Sequence, residues 1–179
     1  KVIRQSEVGP TLGQDSVNKS VRAGLFGLLV LAFFMIIYYG RLGILATFAL
    51  IIYSLITLAI YKFVPITLTL PGIAGFILSI GMALDSNILI FERLKEELRA
   101  GRPLKAAMEL GFGRAWSSIR DANLATLITV FILFNPLNWS FLNVSGMVRG
   151  FALTLGLGIF VGLFTQIVVV RTLVRVFYR

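Results

Sequence analysis

"LTLPGIAGFILSIGMALDSNILIFERLKEEL", residues 68–98, combines a proline, a long apolar run and a single buried-looking acid before a charged end. A helix needs roughly 20 consecutive apolar residues to cross the hydrocarbon core of a bilayer. Gly72 to Phe91 supplies such a run, and Pro71 stands just before it, where proline suits a first helical turn. Asp85 is the only ionisable residue between Lys62 and Glu92. The run therefore reads as a membrane-spanning helix that carries one carboxylate inside it.

Working outward, four more runs approach or reach spanning length. The first covers Val21 to Tyr39 and is followed by a short turn, Gly40 to Gly43. The second covers Ile44 to Tyr61 and leads into "KFVPITLTLP". After the quoted stretch, the polar segment from Glu92 to Asp121 precedes a fourth run, Ala122 to Phe134. That run is short, so its helix is expected to start nearer Ser117 or to extend toward Trp139. The fifth runs from Met147 to Val170 and ends among Arg171, Arg175 and Arg179. The fold expected is all-α, a membrane bundle over residues 21–179 with five transmembrane helices.

Composition agrees. The chain is 58% hydrophobic, against roughly 45–50% for a soluble domain. Cysteine and histidine are both absent, which removes disulfides, thiolate chemistry and the commonest metal ligand and general base. Neither a metal nor a cofactor is expected. The net charge of +9 does not point to nucleic acid, because the cations sit between apolar runs rather than on a polar face with aromatics. Residues 1–20 are polar, lack an initiating Met and contain Gly-Pro, so they read as the exit from a preceding soluble domain.

The cations also set an orientation. With five spans, Arg41, the 92–121 segment and the C-terminus share one side, which carries eleven of the Lys and Arg residues against six on the other. The richer side is expected to be cytoplasmic. The N-terminal segment then lies outside the cytoplasm. Within the 92–121 segment, "AGRP" (100–103) is a break. Before it, Glu92–Lys95 and Glu96–Arg99 have the i,i+3 spacing of helix ion pairs. After it, Leu104, Met108, Phe112 and Trp116 recur at helical spacing, as in an amphipathic helix on a membrane surface. It serves either as a connector or as a docking surface.

Asp85 is the candidate functional residue. On a helix, Ala74, Leu78, Gly81, Asp85, Ile88 and Glu92 lie along one stripe, with Asp85 roughly 10 Å inside Glu92. A charged Asp near the centre of a span costs about 2.5–3.5 kcal/mol. It is therefore neutral in a dry setting, held by neighbours such as Ser79, Ser86, Asn87 or Thr126, or paired with a cation from elsewhere. The arginines of these spans all lie near span ends. Asp121 starts the fourth run and suits a helix N-terminus. Asn123 and Thr126 follow it on a polar strip that could bond across helices or line a wet path. Asp85 and Asp121 lie at different depths, so an aspartyl pair sharing one proton is not expected, and no enzyme is read here. In the fifth run Thr154, Gly158, Gly162 and Thr165 form a small-residue stripe suited to close helix packing. Gly81 is a further packing candidate.

Four ordered motifs carry a resemblance: "VGPTLGQDSV" (8–17), the quoted stretch at 68–98, "SSIRDANLATLIT" (117–129) and "VRGFALTLGLGIFVGLFTQIVV" (148–169). Together they resemble the C-terminal membrane portion of the SecD family, bacterial protein-export subunits related to the resistance-nodulation-division transporters. The resemblance implies the last five of six transmembrane helices and the tail, residues 1–20, of a periplasmic domain. It implies a proton-motive-force-linked auxiliary role in the inner membrane, beside the SecYEG channel, on an exported preprotein. SecF, separate or fused, is the implied partner, with membrane lipid around both. The family's intramembrane acid falls on Asp85, and its second polar element on Asp121, Ala122 and Asn123. The cation facing the acid is expected from the SecF half. The alternatives are half of a related proton-driven drug or lipid exporter, and a structural scaffold subunit.

Overall fold

The computed structural model describes residues 10–64, 66, 68–139 and 144–177. Residues 1–9 and Arg179 lie outside the described residues, so the first nine residues of the expected domain tail (1–20), and with them Lys1 and Arg4, two of the six cations expected on the far side from the cytoplasm, are known only in sequence. The described chain is helical: α1 Pro10–Tyr39, α2 Arg41–Phe63, α3 Leu70–Arg99, α4 Leu104–Phe134, α5 Gly146–Phe164 and α6 Arg171–Phe177, with a π-helical segment, Thr165–Val170, joining α5 to α6. Five helices in it are long and apolar enough to cross a membrane, as expected.

The ends of the helices differ from the apolar runs. α1 begins at Pro10 rather than Val21; its polar start is helical, with Lys19 bridging to Asp15 at 2.9 Å across one turn. The turn to α2 is a single residue, Gly40, at φ 57°. Gly43 then packs against the backbone of α1 so closely that a Cβ there would overlap the Met35 carbonyl. α3 starts at Leu70, capped by Thr69, whose hydroxyl accepts from the Gly72 N–H at 3.3 Å, and continues to Arg99.

Residues 92–121 are consequently not a loop. They are the end of α3, a turn at 100–103 and the first half of α4. Gly101, at φ 78°, ends α3 and Pro103 starts α4. The amphipathic stretch is thus continuous with the fourth span. Its buried face is Ala107, Met108, Gly111, Ala115 and Ile119, laid on α3, while Trp116 turns outward.

Glu97 fastens that hairpin. It is 3% exposed and accepts from Arg102 at 2.7 Å and Arg114 at 2.5 Å. The neighbouring pairs are partly those expected. Lys95 reaches Glu92 at 3.8 Å, but Glu96 pairs back to Arg93 at 2.8 Å rather than forward to Arg99. Lys95 also lies 4.2 Å from the Tyr39 ring centroid, and Tyr39 meets Phe91 at 5.9 Å. These contacts place the Gly40 turn and the α3–α4 turn at one end of the bundle. α3 and α5 occupy the centre. α1 lies at the edge, with Phe26, Phe33 and Ile37 exposed.

Candidate functional site on helix α3

The two faces of α3 have opposite surroundings. One face packs on α5 along a small-residue seam. A Cβ on Gly75 would come 2.5 Å from Thr154 Oγ1 and 2.8 Å from the Phe151 carbonyl. A Cβ on Gly158 would overlap the Ser79 side chain. One on Gly162 would sit 3.8 Å from the Ala83 Cβ, an ordinary contact. Gly75 faces Thr154, Ser79 faces Gly158 and Ala83 faces Gly162, so the two helices run parallel and in step, one turn at a time. Tyr53 of α2 closes the seam by donating to Ser79 Oγ at 2.7 Å, and Tyr61 donates to the Thr154 carbonyl at 2.8 Å.

One turn further, the register brings Asn87 level with Gln166. Both are buried, at 2% and 4% exposure. Asn87 Oδ1 and Gln166 Oε1 each have no hydrogen-bond partner among the described residues. Gln166 lies in the π-helical segment. Such segments have an i→i+5 pattern and recur at functional sites. Its placement was open to reading, as the one amide in "GLFTQIVVV" four residues after Gly162, but the π geometry has no sequence signal.

The other face carries Asp85, which is exposed. No hydrogen bond or ion pair reaches it from the described residues. The neighbours considered as partners are engaged elsewhere: Ser86 Oγ donates to the Met82 carbonyl at 3.0 Å, and Ser79 donates to the Phe76 carbonyl at 2.7 Å. Two turns away along the same side of α3, Leu78 is exposed as well. Gly81 is not a packing glycine within this chain, because a Cβ there would meet nothing within 4 Å. It lines an open groove of about 420 Å³ toward α1, together with Gly27 and Leu31.

The polar strip of α4 does not join Asp85 through hydrogen bonds. Asp121 is exposed and bonded to its own neighbour, Arg120, at 3.0 Å. It caps nothing, because α4 starts at Leu104 and Asp121 sits mid-helix. Asn123 is buried and donates to the Ile119 carbonyl at 2.7 Å. Thr126 donates to the Ala122 carbonyl at 3.1 Å. Each is satisfied by its own helix, which is why no bond crosses to α3. The arrangement is one carboxylate, well inside an apolar span, facing away from its own bundle with clear space one turn above.

Comparison with known proteins follows the same lines. The family described as "Protein export membrane protein SecD/SecF, C-terminal" matches residues 1–179. The chain is 51% identical over 176 residues to the protein translocase subunit SecD of Thermobaculum terrenum, covering 98% of this chain and 33% of that protein. It is 52% identical over 176 residues to the protein translocase subunit SecD of Synechocystis sp., covering 98% of this chain and 36% of that one. The chain thus spans about a third of the length of these relatives. Among solved structures, it resembles the crystal structure of SecDF, a translocon-associated membrane protein from Thermus thermophilus. That match has a TM-score of 0.87 at 40% identity and covers 94% of this chain and 22% of that one.

Proposed function

This chain belongs to the SecD/SecF family of protein export membrane proteins, and we propose that it is the membrane part of a SecD-type auxiliary subunit in which Asp85 carries protons to drive protein export. The observation that carries the reading is Asp85 itself. A carboxylate inside an apolar span, exposed on its bundle and unpaired by any described residue, needs a partner from outside this chain. Intramembrane acids of this kind pair with cations or mark ion and proton paths.

In the proposed cycle, protonated Asp85 tolerates a dry helix interface. Deprotonated Asp85 needs water or a cation, supplied by SecF as a separate or fused partner. The difference biases two packings of the joined bundles. One charge crossing 100 mV yields about 2.3 kcal/mol. Moving an equilibrium from 1:99 to 99:1 takes about 5.5 kcal/mol. One proton therefore biases the switch, and a second proton or a pH gradient completes it. Asp121, Asn123 and Thr126 have a lesser role, as a polar lining of the neighbouring helix. The protein sits in the bacterial inner membrane beside the SecYEG channel and acts on exported preprotein, with residues 1–20 leading from the periplasm. The Gly40 turn, the 92–121 hairpin and α6 face the cytoplasm, as the cation distribution favours.

The test is export of a preprotein into inverted membrane vesicles containing the full-length subunit and SecF. The Asp85→Asn variant is expected to assemble normally and to lose all stimulation by a proton gradient. Stimulation equal to wild type would overturn the reading.

A second reading has a specific observation behind it. Between α1, α2 and α3 lies an apolar cavity of about 430 Å³, lined by Leu25, Leu58, Ile73 and Phe76. A drug or acyl chain fits such a space, as in an exporter half. Substrate-dependent efflux that survives removal of the SecYEG channel would favour it; dependence on the channel would exclude it.

A further inference from the structure

The end of the bundle that holds the α3–α4 turn also holds a groove between α4 and the α5–α6 helix. Two adjoining cavities, of about 300 and 270 Å³, share Glu109 and Arg171. The outer one is lined by Lys105 and Arg175; the inner one by Phe112, Gly113, Trp116 and Ile167. α4 runs inward from this end, so Lys105 stands at the mouth and Trp116, eleven residues on, lies roughly 16 Å deeper. The groove thus passes from cationic to aromatic and aliphatic along its length.

The cations of this groove differ from most others at the same end. Arg93, Lys95, Arg102, Arg114 and Arg120 are all within 4 Å of a carboxylate. Lys105, Arg171 and Arg175 have no ion pair among the described residues, although Glu109 lines the same space. Three cations against one carboxylate leave the groove positive. Basic pockets between membrane helices hold anionic lipid headgroups. Arginine favours phosphate oxygens through paired N–H donors, and tryptophan sits at the level where headgroup meets hydrocarbon.

We propose that this groove binds an anionic phosphodiester lipid whose headgroup carries hydroxyls, phosphatidylglycerol being the simplest. The phosphate lies against Arg171 and Arg175, with Lys105 at the mouth. A headgroup hydroxyl donates to Glu109. The glycerol backbone and the first acyl carbons run along Phe112, Trp116 and Ile167. A soluble phosphate has no use for the apolar inner end, which is why a lipid is chosen.

The test is native mass spectrometry of the full-length protein from micelles with phosphatidylglycerol, phosphatidylethanolamine, phosphatidylcholine or phosphatidic acid. Wild type should retain phosphatidylglycerol at least tenfold better than the two zwitterionic lipids. Inorganic phosphate should not displace it. The double variant R171Q/R175Q should lose that tenfold preference. Gly113→Phe should lose it without any change of charge, because a Cβ at Gly113 meets nothing within 4 Å and the ring enters the groove. Glu109→Gln should narrow the preference over phosphatidic acid. Equal retention of a zwitterionic lipid, displacement by phosphate, unaltered binding in folded Gly113→Phe, or an unchanged headgroup preference in Glu109→Gln would each overturn the assignment it addresses.

Discussion

Two roughly opposite faces of one helix set the terms for this molecule. Toward α5, α3 presents Gly75, Ser79, Ala83 and Asn87, and the facing helix fits them so closely that backbone nearly meets backbone. Away from α5 it presents Ala74, Leu78, Gly81 and Asp85; a Cβ on Gly81 would meet none of the described residues within 4 Å, and Asp85 is exposed. The first face is filled by α5 from Gly75 to Ala83, so those residues answer to stability. The second is complete only with something added, so its residues answer to association and function. Ser79 is hydrogen-bonded inside the seam, Asp85 on the open face has no partner among the described residues, and Asn87 Oδ1, at the end of the seam, has none either.

The contrast is broken most severely by Asp85→Asn. It should remove proton-dependent export altogether while leaving thermal unfolding in detergent unchanged; a large drop in unfolding temperature would mean that the open face is structural after all. On the closed face, Gly158→Leu should destabilise by about 3 kcal/mol, the upper part of the range for overpacking a core. Unfolding titrations of the purified protein would show it, and a neutral result would mean that the seam is looser than described. Glu97→Gln tests the hairpin end of the same helix. Loss of its two charge-assisted bonds should cost about 2 kcal/mol, with faster proteolysis at the 100–103 turn as the visible sign. Gly81→Leu probes the open face: it should leave unfolding within about 0.5 kcal/mol of wild type, as for surface positions, yet weaken co-purification of SecF. Gly162→Ala is the smallest. Its new methyl makes an ordinary 3.7 Å contact with Tyr53, so neither stability nor export should change measurably.

The spans were legible because apolar run length is set by the bilayer itself. The helix ends were not. Pro10 to Ser20 and Leu104 to Asp121 are helical but polar, and hydropathy registers composition rather than backbone hydrogen bonding. Truncating α4 in that way turned Asp121 into an apparent cap. The true break was visible in "AGRP", where Gly101 takes a left-handed conformation and Pro103 begins the next helix. Glu97 could have been distinguished from Glu96, because Ile90, Leu94 and Glu97 continue one buried stripe at helical spacing. Asp85 was found as the lone acid of its run. That it faces away from its own bundle depends on which side of α3 meets α5, and the glycines at 75, 158 and 162 decide that side only when both helices are placed together.

The Gly40 turn has a mechanical consequence. α1 is anchored beside it, where Gly43 fits against Met35, and further along it borders the apolar cavity and meets α3 at Gly24, where a Cβ would come 3.0 Å from Ile77 Cδ1. A helix of 30 residues is a rod about 45 Å long. Tilting such a rod by one degree about its anchored end carries the other end through about 0.8 Å, by the same length. Any tilt of α1 about Gly40 would therefore be felt most at its polar start, and the Gly24–Ile77 contact is what resists it.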